Sequence, residues 1–286
     1  MHYPVLLAEV LDYLAVRPDG NYLDATAGMG GHTGAIAKCL QEGIVISNDR
    51  DSISLGMARQ NCSEWASRIR FHHGDFSSLP AAVQEAGLEK VDGVLADFGV
   101  SRYQLTSAER GFSFHADGPL DMRMDTGQQE TAADIVNFWS ERDLADLLYR
   151  EGEEHASRRI AREIVRSRPI HTTGQLASVV ERVIPRRGKL HPASKTFLAL
   201  RRAVNREDAQ LKDFFEHAPG LVASGGRLVV ISFMSLEDRL AKQKMRELEK
   251  QGKGTILTKQ VIKPSAEEVR INPPSRSAVL RAMVMH

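Results

Sequence analysis

The chain has 286 residues, 42% hydrophobic and 26% charged, which excludes a disordered or fibrous protein and fits a globular one of one large or two modest domains. Only Cys39 and Cys62 are present, so there is no disulfide framework and no zinc-binding spacing, as in a reducing compartment. The net charge of +1 says nothing about partners, but residues 150–206 hold 14 Lys/Arg against five Glu and no Asp, an asymmetry that points one region at a polyanion.

Leu6, Leu7, Val10, Leu11 and Leu14 share one face of a predicted amphipathic helix. Glu9 and Asp12 interrupt it, unlike the centre of a signal peptide, and no other stretch approaches a membrane span, so a cytoplasmic location is expected. Tyr22 to Thr33 begins apolar and extended, turns on Gly28, Gly30 and Gly31, and enters a helical pattern over residues 33–40. Glycine there permits positive φ and close approach of a ligand to the backbone, while the helix start offers unpaired N–H groups. This is the nucleotide-cofactor turn of an open α/β sheet, although alone it reads equally well as a tight turn. Residues 44–49 form a second apolar strand ending in Asp49, 25 residues after Asp24, where a ribose diol would be held. Alternatively Asp49 caps a helix that starts near Asp51.

Residues 69–73 read as a third strand, followed by Gly74-Asp75-Phe76 and a helix over 79–86. Residues 91–97 read as a fourth strand ending in Asp97. The alternation predicts a parallel α/β sheet with ligand contacts at the strand tips Asp24, Asp49, Phe76 and Asp97. Phe98 to Asp125 has no period and contains Phe112, Phe114, Met122 and Met124. It is either a loop that wraps the domain and buries them, or a lid whose aromatics stack on a base. From Thr131 to Asn205 the pattern is helical: Ala156, Ile160 and Ile164 make an apolar stripe opposite Arg158, Arg159, Arg162 and Arg166, and residues 175–184 repeat it before Pro185. The arginine face is either solvated or a polyanion contact.

A helix over 211–218 is expected to stop at Pro219-Gly220. Residues 227–233 form a fifth strand, Ser235 is the expected N-cap of the next helix, and residues 254–262 and 277–285 suit a terminal antiparallel pair. A glycine turn with acids on strands two and four suits a dinucleotide or S-adenosylmethionine. The third glycine of the dinucleotide fingerprint would fall at Thr33 and no hydride-relay constellation is present, which favours S-adenosylmethionine.

Several longer runs then coincide: His2-Tyr-Pro-Val-Leu-Leu, Leu23-Asp-Ala-Thr-Ala-Gly-Met-Gly-Gly-His-Thr, Asn48-Asp-Arg-Asp, Val91-Asp-Gly-Val-Leu-Ala-Asp-Phe-Gly-Val-Ser, Glu109-Arg-Gly-Phe-Ser-Phe, Asp117-Gly-Pro-Leu-Asp-Met-Arg-Met-Asp, His191-Pro-Ala-Ser-Lys-Thr-Phe, Ser232-Phe-Met-Ser-Leu-Glu-Asp-Arg and Arg276-Ser-Ala. In this order the chain resembles the RsmH (MraW) family, bacterial methyltransferases that modify the N4 amine of a cytidine in small-subunit (16S) ribosomal RNA. The resemblance implies a Rossmann-like, class I S-adenosylmethionine-dependent methyltransferase sheet with an inserted helical subdomain. The expected division is a discontinuous cofactor domain, 1–104 and 207–286, and a substrate-recognition subdomain, 105–206. It implies that Gly30, Gly31 and His32 form the cofactor loop, that Asp49 binds the ribose, that Phe76 flanks the adenine, and that Asp97 and Gln104 complete the cofactor site. Three departures stand out: Ser101-Arg-Tyr-Gln104 where the family usually has Ser-Ser-Pro-Gln, Met234 in place of a histidine, and Pro274-Ser275 in place of Arg-Ala.

Methyl transfer from a sulfonium is an in-line displacement that chiefly needs alignment and exclusion of water. A cytosine amine is a poor nucleophile, and an acceptor for its N–H would raise its electron density. Asp97, or a carbonyl of Phe98-Gly-Val100, stands at the expected place, though Asp97 could instead serve the cofactor alone. The rival expectations are an NAD-dependent oxidoreductase and a non-catalytic RNA-binding assembly factor.

Overall fold

The structure, a computed structural model, describes residues 4–186 and 191–286. His2 and Tyr3 of the first motif, and Arg187 and Lys189 of the basic stretch, lie outside the described residues. The chain forms two compact units, Met1–Gly99 with Ala209–His286, and Val100–Asp208.

The first unit holds strands β1 (Tyr22–Asp24), β2 (Val45–Asp49), β3 (Ile69–His73), β4 (Val91–Asp97), β5 (Val222–Ser232), β6 (Gly254–Ile256) and β7 (Val279–Met285). They make one sheet in the order β3-β2-β1-β4-β5-β7-β6. β1 to β5 pair in parallel and β7 is antiparallel to β5 and β6. Helices α1 (Leu7–Leu14), α2 (Gly31–Cys39), α3 (Ser52–Asn61), α4 (Leu79–Glu85), α12 (Ser235–Lys250) and α13 (Ala266–Ile271) belong to this unit, as does α11 (Glu207–Leu221) from Ala209 onward. Alternation along the strands splits the core in two. Leu23, Ile46 and Val94 pack with Phe98, Phe214 and Met245, while Tyr22, Val45 and Leu95 pack with Leu6, Val10, Leu14 and Ile36. Burial on both faces explains why these strands read as continuous apolar runs.

The register fixes the site. Asp24 lies opposite Ser47 on one side and Leu95 on the other, so Asp49 and Asp97 each stand two residues further toward the carboxyl edge. The strand order reverses between β1 and β4, the switch point at which open α/β sheets bind ligands.

Three expectations need correction here. α11 runs through Pro219 to Leu221 instead of stopping, because buried Phe214, Phe215 and Ala218 anchor it to the core. β5 starts at Val222, and its register against β4 shifts between Val91 and Gly93, with Gly225 at φ 80 absorbing the irregularity. Ser235 is the first residue of α12 rather than its cap; Glu237 carries out the capping by accepting the N–H groups of Phe233 at 2.9 Å and Met234 at 3.1 Å.

The second unit contains α5 (Arg102–Thr106), α6 (Ala132–Phe138), α7 (Glu141–Gly152), α8 (Ser157–Arg166), α9 (Thr173–Val183) and α10 (Ser194–Val204). Its core includes Leu144, Leu148, Ile160, Ile164, Leu176, Val180 and Leu200. The aperiodic stretch is not wholly irregular: it holds α5 and a 3₁₀ turn over Ala108–Arg110. Ser101 and Gln104 form a reciprocal capping box that starts α5, a serine-to-glutamine signature visible in the sequence. Phe112, Met122 and Met124 are buried, as the wrapping-loop alternative expects, and the half-buried Phe114 stacks on His191 with ring centroids 4.3 Å apart. The divisions at Gly99/Val100 and Asp208/Ala209 differ from the expected 104/105 and 206/207, so α5 with Gln104 belongs to the second unit.

The run from Asp117 to Asp125 braces this unit from within. Asp117 accepts the N–H of Gly174 in the first turn of α9 at 2.8 Å. Asp121 grips Arg123 through two hydrogen bonds of 2.8 and 2.7 Å. Asn205 accepts from Met124 N–H and donates to the Met122 carbonyl, fixing Met122 at φ 62.

Candidate active site

The glycine turn is built for close backbone approach. Gly28 and Gly30 sit at φ 50 and 87, and a Cβ on Gly30 would lie 2.7 Å from Cys62 Sγ and 3.1 Å from the Ala58 backbone. Gly30 caps α2 without a side chain, and Gly31 opens the helix, so no side chain caps its first amides. Asn48 holds the turn from β2 by accepting Ala27 N–H at its carbonyl and donating its amide to Ala25 O at 3.1 Å.

Asp49 reaches across to that turn. Its Oδ2 accepts Gly28 N–H at 2.7 Å and its Oδ1 accepts Asp51 N–H at 2.8 Å. Burial pushes its carboxyl up to about 6, the charges of Asp51 and Asp24 add to this, and the two N–H bonds oppose it. The cap of α3 is Asp51, which accepts from Ile53 and Ser54, so the capping alternative for Asp49 is set aside.

Asp24 was expected among the ligand contacts and is not placed as one. It is fully buried, accepting Thr33 Oγ1–H at 2.6 Å and Thr26 N–H at 3.2 Å, and holds the loop from beneath. Phe76 is half-buried, edge-on to Phe98 and Phe214 at 6.1 and 5.3 Å. Its position is set by Gly74, whose N–H reaches the Asp49 carbonyl at 3.1 Å, and by Gln210, which accepts Phe76 N–H at 3.3 Å.

His32 is buried, with Nε2 2.9 Å from the Val5 carbonyl and Nδ1 3.9 Å from Asp97 Oδ2. Burial lowers its pKa, with Asp24 acting in the opposite sense. Asp97 donates its N–H to Thr26 Oγ1 at 2.7 Å, and its Oδ1 is buried with no hydrogen-bond partner among the described residues. Burial raises the Asp97 carboxyl well above the usual carboxylate range, with Asp24 and Glu237 adding to it. Gln104 is buried in the second unit, accepting Ser101 N–H at Oε1 at 2.9 Å.

The first unit therefore brings Gly28, Gly30, Gly31, His32, Asp49, Phe76 and Asp97 to one sheet edge, whereas Gln104 is carried by the other unit. Sequence reasoning missed Val5, Thr26, Cys62 and Gln210, which shape this edge from distant positions. The polar runs around Thr26 and Asp75 were the only signals.

Against known families, residues 1–285 match the MraW methylase family. A protein named ribosomal RNA small subunit methyltransferase H from Solibacter usitatus is 61% identical over 285 residues, covering 100% of both chains. The chain belongs to the MraW methylase family. A protein of the same name from a Cyanothece strain is 48% identical, with 98% of this chain and 93% of that one covered. Among solved structures, an rRNA methylase from Streptococcus thermophilus is 12% identical, with a TM-score of 0.49 and coverage of 100% and 99%. As a MraW methylase family member the chain is a methyltransferase with the class I Rossmann-like fold and S-adenosyl-L-methionine as its cofactor, and the dehydrogenase alternative falls.

The residues of this family member fit that cofactor. The Gly30 backbone approach would be closed by any Cβ, Asp49 offers a carboxylate at the β2 tip, Phe76 offers a half-exposed ring, and the buried Oδ1 of Asp97 has no donor among the described residues.

Proposed function

We propose that the chain transfers a methyl group from S-adenosyl-L-methionine to the N4 amine of a cytidine in 16S ribosomal RNA of the small subunit, in the cytoplasm. The observation that carries this reading is Oδ1 of Asp97, a buried acceptor with no partner among the described residues, at the strand tip beside the glycine turn. A buried acceptor without a donor costs about 1–3 kcal/mol, so it is kept where a ligand supplies the donor. An exocyclic amine does so. The full names of the two relatives support small-subunit RNA as the target.

Gly30, Gly31 and His32 would hold the cofactor along the α2 start, Asp49 its ribose hydroxyls and Phe76 its adenine. The cofactor supplies an electrophilic methyl group. Asp97 accepts the amine hydrogen and orients the nitrogen lone pair.

The second unit is proposed as the RNA-recognition element. Arg158, Arg159 and Arg166 on α8 are exposed and have no side-chain partner among the described residues, while Arg162 lies 3.4 Å from Glu141. Such groups suit phosphate contacts, which set register more than sequence.

The test is incubation of purified small subunits with labelled S-adenosylmethionine, followed by nucleoside analysis. N4-methylcytidine is expected. Label on another nucleoside would sink the amine assignment, and binding without transfer would favour the assembly-factor reading.

A further inference from the structure

His32 is the second residue of α2, yet its ring is anchored from outside that helix. A carbonyl only accepts, so the Nε2 facing Val5 O at 2.9 Å carries the hydrogen. In an uncharged ring Nδ1 then holds the lone pair, and it faces Asp97 Oδ2 at 3.9 Å. Two acceptors facing each other, one of them on a buried ring, repel, and a proton on one of them removes the conflict. The Val5 carbonyl is itself held: Leu6, left-handed at φ 54, donates its N–H to Glu268 Oε1 at 2.8 Å, so α13 fixes the strap and the strap fixes the ring. The other Asp97 oxygen, Oδ1, has no partner among the described residues.

We infer that His32 is a positioning residue that keeps the Asp97 proton on Oδ2, leaves Oδ1 as acceptor for the substrate amine, and receives the proton that methyl transfer releases. This rests on the amine reading above. In the step, the amine nitrogen bonds to the methyl carbon as the carbon–sulfur bond breaks with its electron pair going to sulfur. The amine proton passes to Oδ1, and Oδ2 hands its own proton to Nδ1 once the 3.9 Å between them closes to hydrogen-bond length. The carboxyl begins and ends neutral, and the positive charge that began on the sulfonium ends on the imidazolium.

The surroundings agree. Burial disfavours charge on both partners at rest, which places the shared proton on the carboxyl. Asp24 on β1 and Glu268 on α13 face His32 and favour the imidazolium once it forms; Asp24 and Glu237 on α12 face Asp97 and disfavour a carboxylate. An imidazole that is already protonated cannot take the proton, so turnover is lost as pH falls through the depressed His32 pKa and is retained above it.

Nitrogen NMR of histidine-labelled whole protein without substrate tests the proton placement. At pH 7 a neutral ring with hydrogen on Nε2 is expected, its Nδ1 signal shifted by the facing Asp97 carboxyl and returning to the free-acceptor position in Asp97→Ala. Hydrogen on Nδ1, an imidazolium, or an Nδ1 signal indifferent to Asp97→Ala overturns the inference. His32→Gln retains a donor for Val5 but takes no proton. Its kcat on small subunits at saturating cofactor should fall about tenfold or more, and the acid limb of the kcat profile should vanish. An unchanged kcat with the limb intact overturns the relay. Should that variant fail to fold, the wild-type spectrum still decides. Wild-type methylation at carbon or at a ribose hydroxyl would overturn the amine reading and the transfer step, separately from the NMR result.

Discussion

Replacing Asp49 with alanine separates two jobs that the structure gives one carboxylate. Toward the cofactor, a charged acceptor for ribose hydroxyls is worth about 1.5–3 kcal/mol, so Asp49→Ala should weaken binding about tenfold to 150-fold. Toward the fold, Gly28 N–H at 2.7 Å and Asp51 N–H at 2.8 Å lose their acceptor. Asp49 is only half-buried, so water replaces part of that loss and a cost of about 1–3 kcal/mol is expected, or roughly 2–4 °C of melting temperature per kcal/mol. The variant therefore folds with a loosened glycine turn. The two jobs respond to pH in opposite senses. With the folded carboxyl at about 6 against an ordinary 3.8, falling pH protonates it in the native state first, which adds stability between those values. The same protonation removes the acceptor, so cofactor affinity should fall as pH drops through about 6. Titration calorimetry with S-adenosylmethionine from pH 5 to 8, alongside thermal melts, reads both. An unchanged affinity in Asp49→Ala, or a wild-type affinity flat through that range, refutes the ribose assignment.

Gly30→Ala should destabilise the first unit by about 1–2 kcal/mol from its left-handed backbone alone, and by more through the 2.7 Å approach to Cys62 Sγ; adding Cys62→Ala should recover only the second part in a thermal melt. Asp97→Ala should lower kcat by about 10²–10⁴ while cofactor affinity falls less, and a large affinity loss with normal turnover at saturation would assign Asp97 to the cofactor alone. Reversing Arg158, Arg159, Arg162 and Arg166 to Glu should weaken small-subunit binding and flatten its salt dependence by about one log–log unit per lost phosphate contact, leaving cofactor affinity alone. Parallel salt slopes in filter binding would mean that these arginines do not touch RNA.

β3 and β4 are legible to the residue because turn residues bound each, and the acid that ends the apolar run of β4 marks the carboxyl edge. What fails to show is anything decided by distant packing. Pro219 looks like a stop, and only the burial of Phe214 and Ala218 keeps the helix going. Asp24 and Asp49 look equivalent as strand-end acids, but the two-residue stagger of the register buries one beneath the loop and leaves the other at the edge. The pairing of His32 with the Val5 carbonyl spans 27 residues, and no local pattern encodes it. The Asp117–Asp125 run is far more specific than the glycine turn, yet its side chains hold the second unit together, as when Asp117 accepts the Gly174 amide of α9 and Asp121 grips Arg123.

The order of synthesis gives the divided first unit a folding problem. β4 ends at Asp97 and its partner β5 begins at Val222, so 124 residues must be made before the sheet can extend past β4. The second unit is continuous in the chain and finishes at Asp208, so it can fold during that interval. Until β5 arrives, β4 is a bare, apolar edge, the kind of template on which nascent chains aggregate. Slow translation between Val100 and Asp208 would lengthen that exposure, which makes the yield of this protein sensitive to codon choice in a segment whose described residues contribute no strand to the sheet.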